Sequence, residues 1–345
     1  MTARVTRWLG VAVCWALAGG CSDALEQTTS AGQVVVGVGA VDATLSLVRV
    51  DDRTVSTLPV PPAGATPGSA AARGSLLVVP GGDSATLAVF DFSTGSAPAI
   101  THWRLPAGSA GGVAFEDDTI AWVTNPARNR VTRINVRRGD TVSFAVGAVP
   151  GPVAVAASRV YVVNTNAPGG IPAGASWITV LRTIPAPAAV AESVALTGTN
   201  PASITLGADG ELYVVDAGTA RLGDGKLSIV DTVPAVEAAV LNGLGESPGS
   251  AVYHPSGHLL IASPRGILDV NTTTRTLAAA PGANPGGMGV AQLALDQSGR
   301  VYAFDRRQCS EPSVLHVLGA PPGYDEEDTK SVGPCPTAAT TILVP

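Results

Sequence analysis

Short apolar runs recur along the chain at nearly constant spacing. Each run has three or four residues, most of them Val, Ile, Leu, Ala or Tyr. A repeat of this length accommodates four short strands, and the β-branched and aromatic residues favour strands over helical hairpins of similar period. The runs begin 40 to 52 residues apart, at Val34, Leu76, Ile120, Val160, Leu212, Leu259 and Val301. The pattern predicts seven copies of one β unit.

Turn signals and alternating segments flank the apolar runs. The triplets ADG at 208–210 and PSG at 255–257 place a glycine where a tight hairpin needs positive φ. After each run comes a loop, then a strict alternation of apolar and polar residues, as in TLSLVRV from Thr44 and RVTRINV from Arg130. These flanks predict four antiparallel strands in each unit.

Several segments carry a family resemblance. VYVVNTN from Val160, AWVTNPARNRVTRINV from Ala121 and ELYVVDAG from Glu211 resemble the YVTN-type repeat of bacterial seven-bladed β-propellers. The resemblance extends over nearly all of residues 34–345 and implies an all-β ring of seven blades, closed by pairing between the N- and C-terminal strands. The tail TAATTILVP from Thr337 is the expected closing strand, beside Val34–Val38. Such a ring hosts unrelated activities, so the resemblance indicates fold and leaves function open.

Composition agrees with a folded β protein. Apolar residues make up 46% of the chain and charged residues 14%, which is not the balance of a disordered segment. The 40 glycines and 27 prolines are spread along the sequence, as expected for many short strands joined by turns. A net charge of −6 argues against nucleic acid as the partner. We expect a monomer.

The N-terminus predicts export. Arg4 and Arg7 precede an apolar segment from Trp8 to Ala18, which is too short to span a bilayer permanently and suits a cleaved signal peptide. The segment LAGGC resembles the lipobox of bacterial lipoproteins, with Cys21 as the lipidated residue, although Ala18 stands where that box prefers Leu. We therefore predict a signal peptide at 1–20, a lipidated, flexible tether at 21–33, a propeller domain at 34–345 and attachment to a cell-envelope membrane. Ordinary secretion, with Cys21 unmodified, is the alternative.

Two cysteines remain in the predicted propeller domain. Cys309 and Cys335 form an even pair in an oxidising compartment, so the prediction is a disulfide. The alternative is a metal site that includes His316, but structural zinc requires four ligands and the nearby sequence offers three.

Two long loops suggest where a partner binds. Asn164–Ser176 and Asp216–Gly225 lengthen the fourth and fifth repeats, and insertions on one face of a repeat protein are often its binding face. A neutral surface insertion is the alternative. The candidate binding residues on this rim are Asn125, Asn164, Asn166, Asp216, Arg221, Asp224 and Asp305.

Polar residues at the ends of the apolar runs form a second candidate set. If the repeats are equivalent, these residues surround the mouth of a central channel: Thr124, Asn125, Asn164, Asp216, Ser263 and Asp305. Propeller lactonases hold a divalent metal in this region, so the resemblance implies weak candidate ligands in Asp216, Asp305 and Asn164 for Ca²⁺ or Mg²⁺. Such a site needs about six oxygen ligands. The alternative is a set of polar caps that end the strands, with no cofactor.

Known catalytic motifs do not occur in the sequence. There is no G-x-S-x-G and no Walker loop, and His102, His254, His258 and His316 read as surface or strand-end residues. The principal interpretation is an envelope lipoprotein whose propeller binds a protein or glycan partner, with no catalytic residue. A metal-dependent, lactonase-like hydrolase or lyase at the channel mouth is the alternative.

Overall fold

A computed structural model describes residues 32–184, 188–281, 287 and 289–345. In these residues, strands form seven four-stranded antiparallel sheets. We number the sheets 1 to 7 along the chain and call them blades. The predicted signal peptide, Cys21 and the tether up to residue 31 lie outside the described residues.

Each blade has four strands in a fixed order from the centre outward. The innermost strands, from blade 1 to blade 7, are β28 (Pro336–Val344), β4 (Ala71–Arg73), β8 (Val113–Phe115), β12 (Pro150–Ala156), β16 (Pro201–Leu206), β20 (Ala251–His254) and β24 (Val290–Leu295). The second strands are β1 (Gly32–Gly39), β5 (Leu76–Pro80), β9 (Ile120–Asn125), β13 (Arg159–Asn164), β17 (Leu212–Asp216), β21 (His258–Ser263) and β25 (Val301–Asp305).

The outer half of each blade completes the sheet. The third strands are β2 (Thr44–Arg49), β6 (Thr86–Asp91), β10 (Arg130–Asn135), β14 (Trp177–Arg182), β18 (Gly225–Thr232), β22 (Gly266–Asn271) and β26 (Pro312–Leu318). The outermost strands are β3 (Val55–Pro59), β7 (Ala99–Arg104), β11 (Thr141–Ala145), β15 (Ala189–Ala195), β19 (Ala235–Gly245), β23 (Thr276–Pro281) and β27 (Glu326–Pro334). Two short 3₁₀ turns, Pro126–Arg128 and Pro168–Gly170, lie in loops.

The predicted fold class is therefore confirmed. All seven apolar runs are the second strands of seven blades, and the alternating segments after them are third strands. The apolar runs within the second strands are buried on both faces, which is why they have no polar alternation. Seven hydrophobic clusters lie between neighbouring blades, one cluster at each of the seven interfaces.

The ring closes between the two ends of the propeller. β28 pairs antiparallel with β1, with Thr340 opposite Val36 and Ile342 opposite Val34. The C-terminal strand thus becomes the innermost strand of blade 1, as predicted, and β1 begins at Gly32, two residues before the predicted boundary. Ile342 and Val344 are buried in the cluster between blades 1 and 2.

The alternation of strand direction sorts the connections onto two rims. Loops from second to third strands share one rim with the blade-to-blade connections, and we call it the loop rim. The hairpins that join first to second strands and third to fourth strands lie on the opposite rim, the turn rim. The two long loops, 165–176 and 217–224, belong to neighbouring blades 4 and 5 on the loop rim, as the sequence indicated.

The predicted disulfide is present, and it supports ring closure. Cys309, in the loop between β25 and β26, is bonded to Cys335, which directly precedes β28, and the two Cα atoms are 4.5 Å apart. The bridge therefore connects blade 7 to the start of the closing strand.

We expect the loss of this bridge to weaken the whole ring. It closes a loop with a sequence separation of 26 residues, for which the chain-entropy model gives about 3.5 kcal/mol. The double variant Cys309→Ser, Cys335→Ser should lose roughly that much unfolding free energy in urea titrations. Dithiothreitol should reproduce the loss in the parent chain and change nothing in the variant. Equal stability of the two chains would show that β28 is held without the bridge.

Candidate functional site

A central channel opens among the starts of the innermost strands. Its volume is about 440 Å³, and all seven blades contribute to its wall. The wall consists of Gly68, Ser69, Ala70, Gly111, Gly112, Val113, Gly151, Pro152, Val153, Ala202, Ser203, Ile204, Gly249, Ser250, Gln292, Thr337, Ala338 and Ala339. Among these wall residues there is neither an ionisable nor an aromatic side chain. Because the innermost strands start at the loop rim, the channel opens beside the long loops.

Serine hydroxyls occupy one equivalent position of the wall in three blades. Ser69 donates to the carbonyl of Gly111 at 2.7 Å, and Ser203 donates to the carbonyl of Gly249 at 2.9 Å. Both bonds connect one innermost segment to the next and so hold the ring together. Ser250 is the exception, because its Oγ is buried and has no hydrogen-bond partner within the described structure.

The structure places the predicted strand-end residues behind this wall. Thr124, Asn125, Asn164, Asp216, Ser263 and Asp305 are all buried, and none is among the residues that line the channel. They end second strands, one strand away from the channel. Pro201, for example, stands opposite Asp216, and Val290 stands opposite Asp305.

The two asparagines of the set are hydrogen-bonded to backbone. Asn125 accepts from the N–H of Ser109 at 3.1 Å and donates to the carbonyl of Ala107 at 3.2 Å, which fixes the connection between blades 2 and 3. Asn164 donates to the carbonyl of Trp177 at 3.1 Å and to Oγ1 of Thr179 at 2.9 Å. Its Oδ1 has no partner in the described structure.

Asp216 is the blade 5 counterpart of Asn164. Its Oδ2 accepts the hydroxyl of Ser228 at 2.8 Å, while Oδ1 is buried without a partner in the described structure. Burial raises the pKa of Asp216 to about 7, and the Glu237 carboxylate acts in the same direction. The hydroxyl of Ser228 and the charge of Lys226 oppose that shift.

Asp305 has a different environment from Asp216. Its Oδ2 lies 2.5 Å from Nε of Arg307, and its Oδ1 accepts the N–H of Val314 at 2.8 Å. The carboxylate is thus paired with a cation and orders the loop between β25 and β26.

The candidate metal ligands come from three separate blades. Asn164 belongs to blade 4, Asp216 to blade 5 and Asp305 to blade 7. Within the described part of the chain, no three His, Cys, Asp or Glu side chains converge as metal ligands would.

The long loops carry the other candidate residues. Asn166 donates to the carbonyl of Ala175 at 3.2 Å and closes the loop of blade 4. Asp224 accepts the N–H of Thr219 at 2.8 Å and shapes the loop of blade 5, in which Arg221 is exposed with φ of +69°. The structure brings these three residues to the loop rim, in agreement with the predicted topology.

Each long loop also exposes one large apolar side chain. Ile171 is 73% exposed in the loop of blade 4, and Leu222 is 70% exposed in the loop of blade 5. Contiguous exposed apolar patches mark protein-binding sites, whereas single exposed aliphatic side chains are common on any protein surface. The sequence contains the signal, because each residue is an isolated large aliphatic within a loop of mostly Gly, Ala, Pro and polar residues.

Three of the four histidines are hydrogen-bonded within the fold: His254, His258 and His316. His258 Nδ1 lies 2.5 Å from a carboxylate oxygen of Asp269, which also accepts the hydroxyl of Tyr324 at 2.6 Å. This chain of hydrogen bonds links blade 6 to blade 7. His254 ends β20 and His102 is exposed in β7, but His316 is buried within β26, so its predicted surface or strand-end position was wrong.

The fold and the channel define the class as a seven-bladed β-propeller. No protein-family model matches the chain, and no curated protein matches it either. A helix that could cross a membrane is not found among the described residues.

Solved structures share the fold at low sequence identity. A functionally unknown protein from Desulfotomaculum acetoxidans is 14% identical, with a TM-score of 0.62 over 87% of this chain and 99% of that chain. Apo AztD from Citrobacter koseri is 10% identical, with a TM-score of 0.62 over 91% and 98%. Virginiamycin B lyase from Staphylococcus aureus is 11% identical, with a TM-score of 0.57 over 77% and 84%. At these identities the similarity concerns the fold alone.

Proposed function

We propose that this chain is a lipid-anchored protein of the bacterial cell envelope whose propeller binds a partner protein at the loop rim. The observation that carries the proposal is the pair of exposed apolar side chains, Ile171 and Leu222, on the two longest loops between second and third strands. A large apolar residue on a loop tip is unfavourable in water and becomes favourable when a partner covers it. The uncharged channel beside these loops extends the same surface.

The polar residues near the channel support a binding role. Asn166 donates to the carbonyl of Ala175 and Asp224 accepts the N–H of Thr219, so each hydrogen-bonds within one of the two long loops of the loop rim. They therefore hold the loops in defined positions, which lowers the entropic cost of binding.

Removing the two apolar side chains should abolish partner binding. We expect the double variant Ile171→Ser, Leu222→Ser to capture at least tenfold less partner from detergent-solubilised envelopes, because buried aliphatic anchors contribute about 1.5–3 kcal/mol each. The measurement is quantitative mass spectrometry of proteins cross-linked to the bait.

The matched control lies on the opposite rim. Ile184 and Val233 are 69% and 66% exposed on turns of the same two blades. The variant Ile184→Ser, Val233→Ser removes equally exposed apolar groups and should leave capture unchanged. Equal capture by both double variants would contradict a binding site on the loop rim.

The membrane anchor is tested separately. Gly32, the first residue of β1, lies at the turn rim, so a chain arriving from Cys21 joins the propeller opposite the proposed binding rim. We expect Cys21→Ala to move the protein from the membrane pellet to the soluble fraction, with an unchanged unfolding midpoint. Continued sedimentation with membranes, and no lipid mass on Cys21 in the parent chain, would contradict the anchor.

The hydrolase or lyase alternative has less support from the geometry. A Ca²⁺ or Mg²⁺ ion needs about six oxygen ligands at one point, whereas Asp216 and Asp305 lie in different blades and Asp305 is paired with Arg307. Metal analysis of the purified chain, compared with the variant Asp216→Ala, Asp305→Ala, tests it directly. Stoichiometric metal that disappears in the variant would favour the alternative.

A further inference from the structure

The channel wall offers hydrogen-bonding groups without charge. Each innermost strand pairs with one neighbour within its blade, so its other backbone edge is directed toward the channel. Hydroxyl groups of a neighbouring blade already bind part of that edge, such as the carbonyls of Gly111 and Gly249. The side chains along this edge are small, mainly Gly, Ala and Ser. A group that enters the channel can therefore approach the backbone closely. The volume of about 440 Å³ falls in the range of ordinary ligand pockets.

Ser250 is a wall residue whose buried hydroxyl has an unused hydrogen bond in the described structure. Its counterparts Ser69 and Ser203 donate to carbonyls of the next blade, but the buried Oγ of Ser250 has no partner in the described structure. A buried hydroxyl without a partner is unfavourable, and a ligand group that accepts its proton relieves that cost.

We propose that the channel receives an extended, uncharged peptide segment of the partner protein, which hydrogen-bonds to Ser250 and the inner strand edges. This inference rests on the proposed function, because the same partner would contact Ile171 and Leu222 at the rim. A peptide backbone alternates donors and acceptors, and it can bind the groups of the strand edges that no neighbouring hydroxyl occupies. A charged side chain would lose its hydration without meeting an opposite charge on the wall.

The other ligand classes fit the wall less well. A divalent cation would meet no carboxylate among the residues that line the channel. A sugar ring would find no aromatic side chain on which to pack. An uncharged peptide can hydrogen-bond to the backbone edges and to the Ser250 hydroxyl, and it can pack against the small side chains of the wall.

Two wall glycines allow the channel to be filled selectively. A Cβ added at Gly68 would have no atom within 4 Å, and one added at Gly249 would first meet carbonyl oxygens of Ala262 and Ala291 at 3.8 Å. Neither glycine has the left-handed backbone that disfavours other residues. Gly249→Leu and Gly68→Leu therefore reduce the channel volume without a backbone clash. Gly319→Leu, on the turn rim, is the matched control, since its Cβ would meet Asp325 at an ordinary 3.7 Å.

The probe is a phage-displayed library of linear heptapeptides selected on the immobilised full chain. We expect enriched peptides with few charged residues at their central positions. Their affinity for Gly249→Leu and Gly68→Leu should fall at least tenfold, and that for Gly319→Leu should be unchanged. Ser250→Ala, which keeps the channel open, should weaken the same peptides severalfold. No enrichment over the bare support would overturn the inference, as would enriched peptides that bind the filled channel normally.

The two proposals fail in different ways. If the partner captured from envelopes depends on Ile171 and Leu222 but binds Gly249→Leu normally, the loop-rim site stands and the channel inference is wrong. If capture depends on neither the rim side chains nor the channel, the proposed function itself is wrong. Circular dichroism and the unfolding midpoint establish that each variant keeps the propeller fold.

Discussion

Deleting residues 336–345, which contain the closing strand β28, should abolish cooperative folding of the propeller. The deletion removes the innermost strand of blade 1 and leaves the inner edge of β1 unpaired along Gly32–Gly39. It also removes Ile342 and Val344 from the cluster between blades 1 and 2, which alone costs about 4 kcal/mol. The backbone hydrogen bonds between β1 and β28 are lost as well, so the total loss of unfolding free energy approaches the entire stability of a typical domain, about 5–15 kcal/mol.

The measurement is urea unfolding followed by circular dichroism, with complementation as the control. A synthetic peptide of residues 336–345 added in trans should restore part of the cooperative transition, because the vacated position is a strand edge beside an apolar groove. The same peptide with Ile342→Asp should not, since it would place a charge in that groove. A truncated chain that unfolds at the parent midpoint would refute the role of β28 in closing the ring.

The fold could be predicted because its signals are local and repeated. The run from Leu212 is apolar at every position because neighbouring blades cover both of its faces, and the alternation from Arg130 reflects a third strand. Seven such runs leave the ring as the consistent solution, since unpaired sheets would expose edges and apolar faces. The closing strand was predictable for the same reason: the first run needed an inner partner, and the tail had strand character.

The candidate site was harder to predict because the burial of a side chain depends on segments that are distant in the sequence. The sequence shows a polar residue at the end of a strand, but whether Asn164 faces the channel depends on a connection from another blade. In the structure, Gly147 lies so close to Asn164 that an added Cβ would be 2.6 Å from its Cγ. Gly108 and Gly198 cover Asn125 and Asp216 in the same way. A glycine in each preceding connection is the signal that could have indicated coverage.

Because these polar residues are covered, they can position neighbouring loops but cannot contact a partner directly. The residues whose types suggested chemistry, such as Asp305, order the loops from beneath. The groups of the proposed contact surface are mostly aliphatic or small: Ile171, Leu222 and the small side chains of the channel wall. The acid and amide side chains that mark candidate chemistry in the sequence therefore belong to the scaffold of the rim, and the proposed contact residues are of other types.

Asp216 gives the propeller a pH-dependent stability that Asp216→Asn should remove. Its folded-state pKa of about 7 lies above the roughly 3.9 of an unfolded chain, so the folded state holds a proton that the unfolded state has released. This contribution is complete below about pH 4 and is lost as the pH rises toward 7, at up to about 1.4 kcal/mol per unit. The total approaches 4 kcal/mol.

The substitution to Asn is well matched to the site, because blade 4 has Asn164 at the equivalent position, donating to Thr179. Above pH 7, we expect the unfolding free energy of the variant to equal or exceed that of the parent. Between pH 4 and 7, the unfolding free energy of the parent should decrease as the pH rises, and that of the variant should stay constant. Asp305→Asn is the control of opposite sign: it breaks the pair with Arg307 and should destabilise the chain at neutral pH. Urea titrations at half-unit intervals from pH 4 to 8 measure both effects. Parallel curves for the parent and Asp216→Asn would mean that the buried carboxyl does not titrate in this range, and that the orphaned Oδ1 is satisfied in the folded chain by another group.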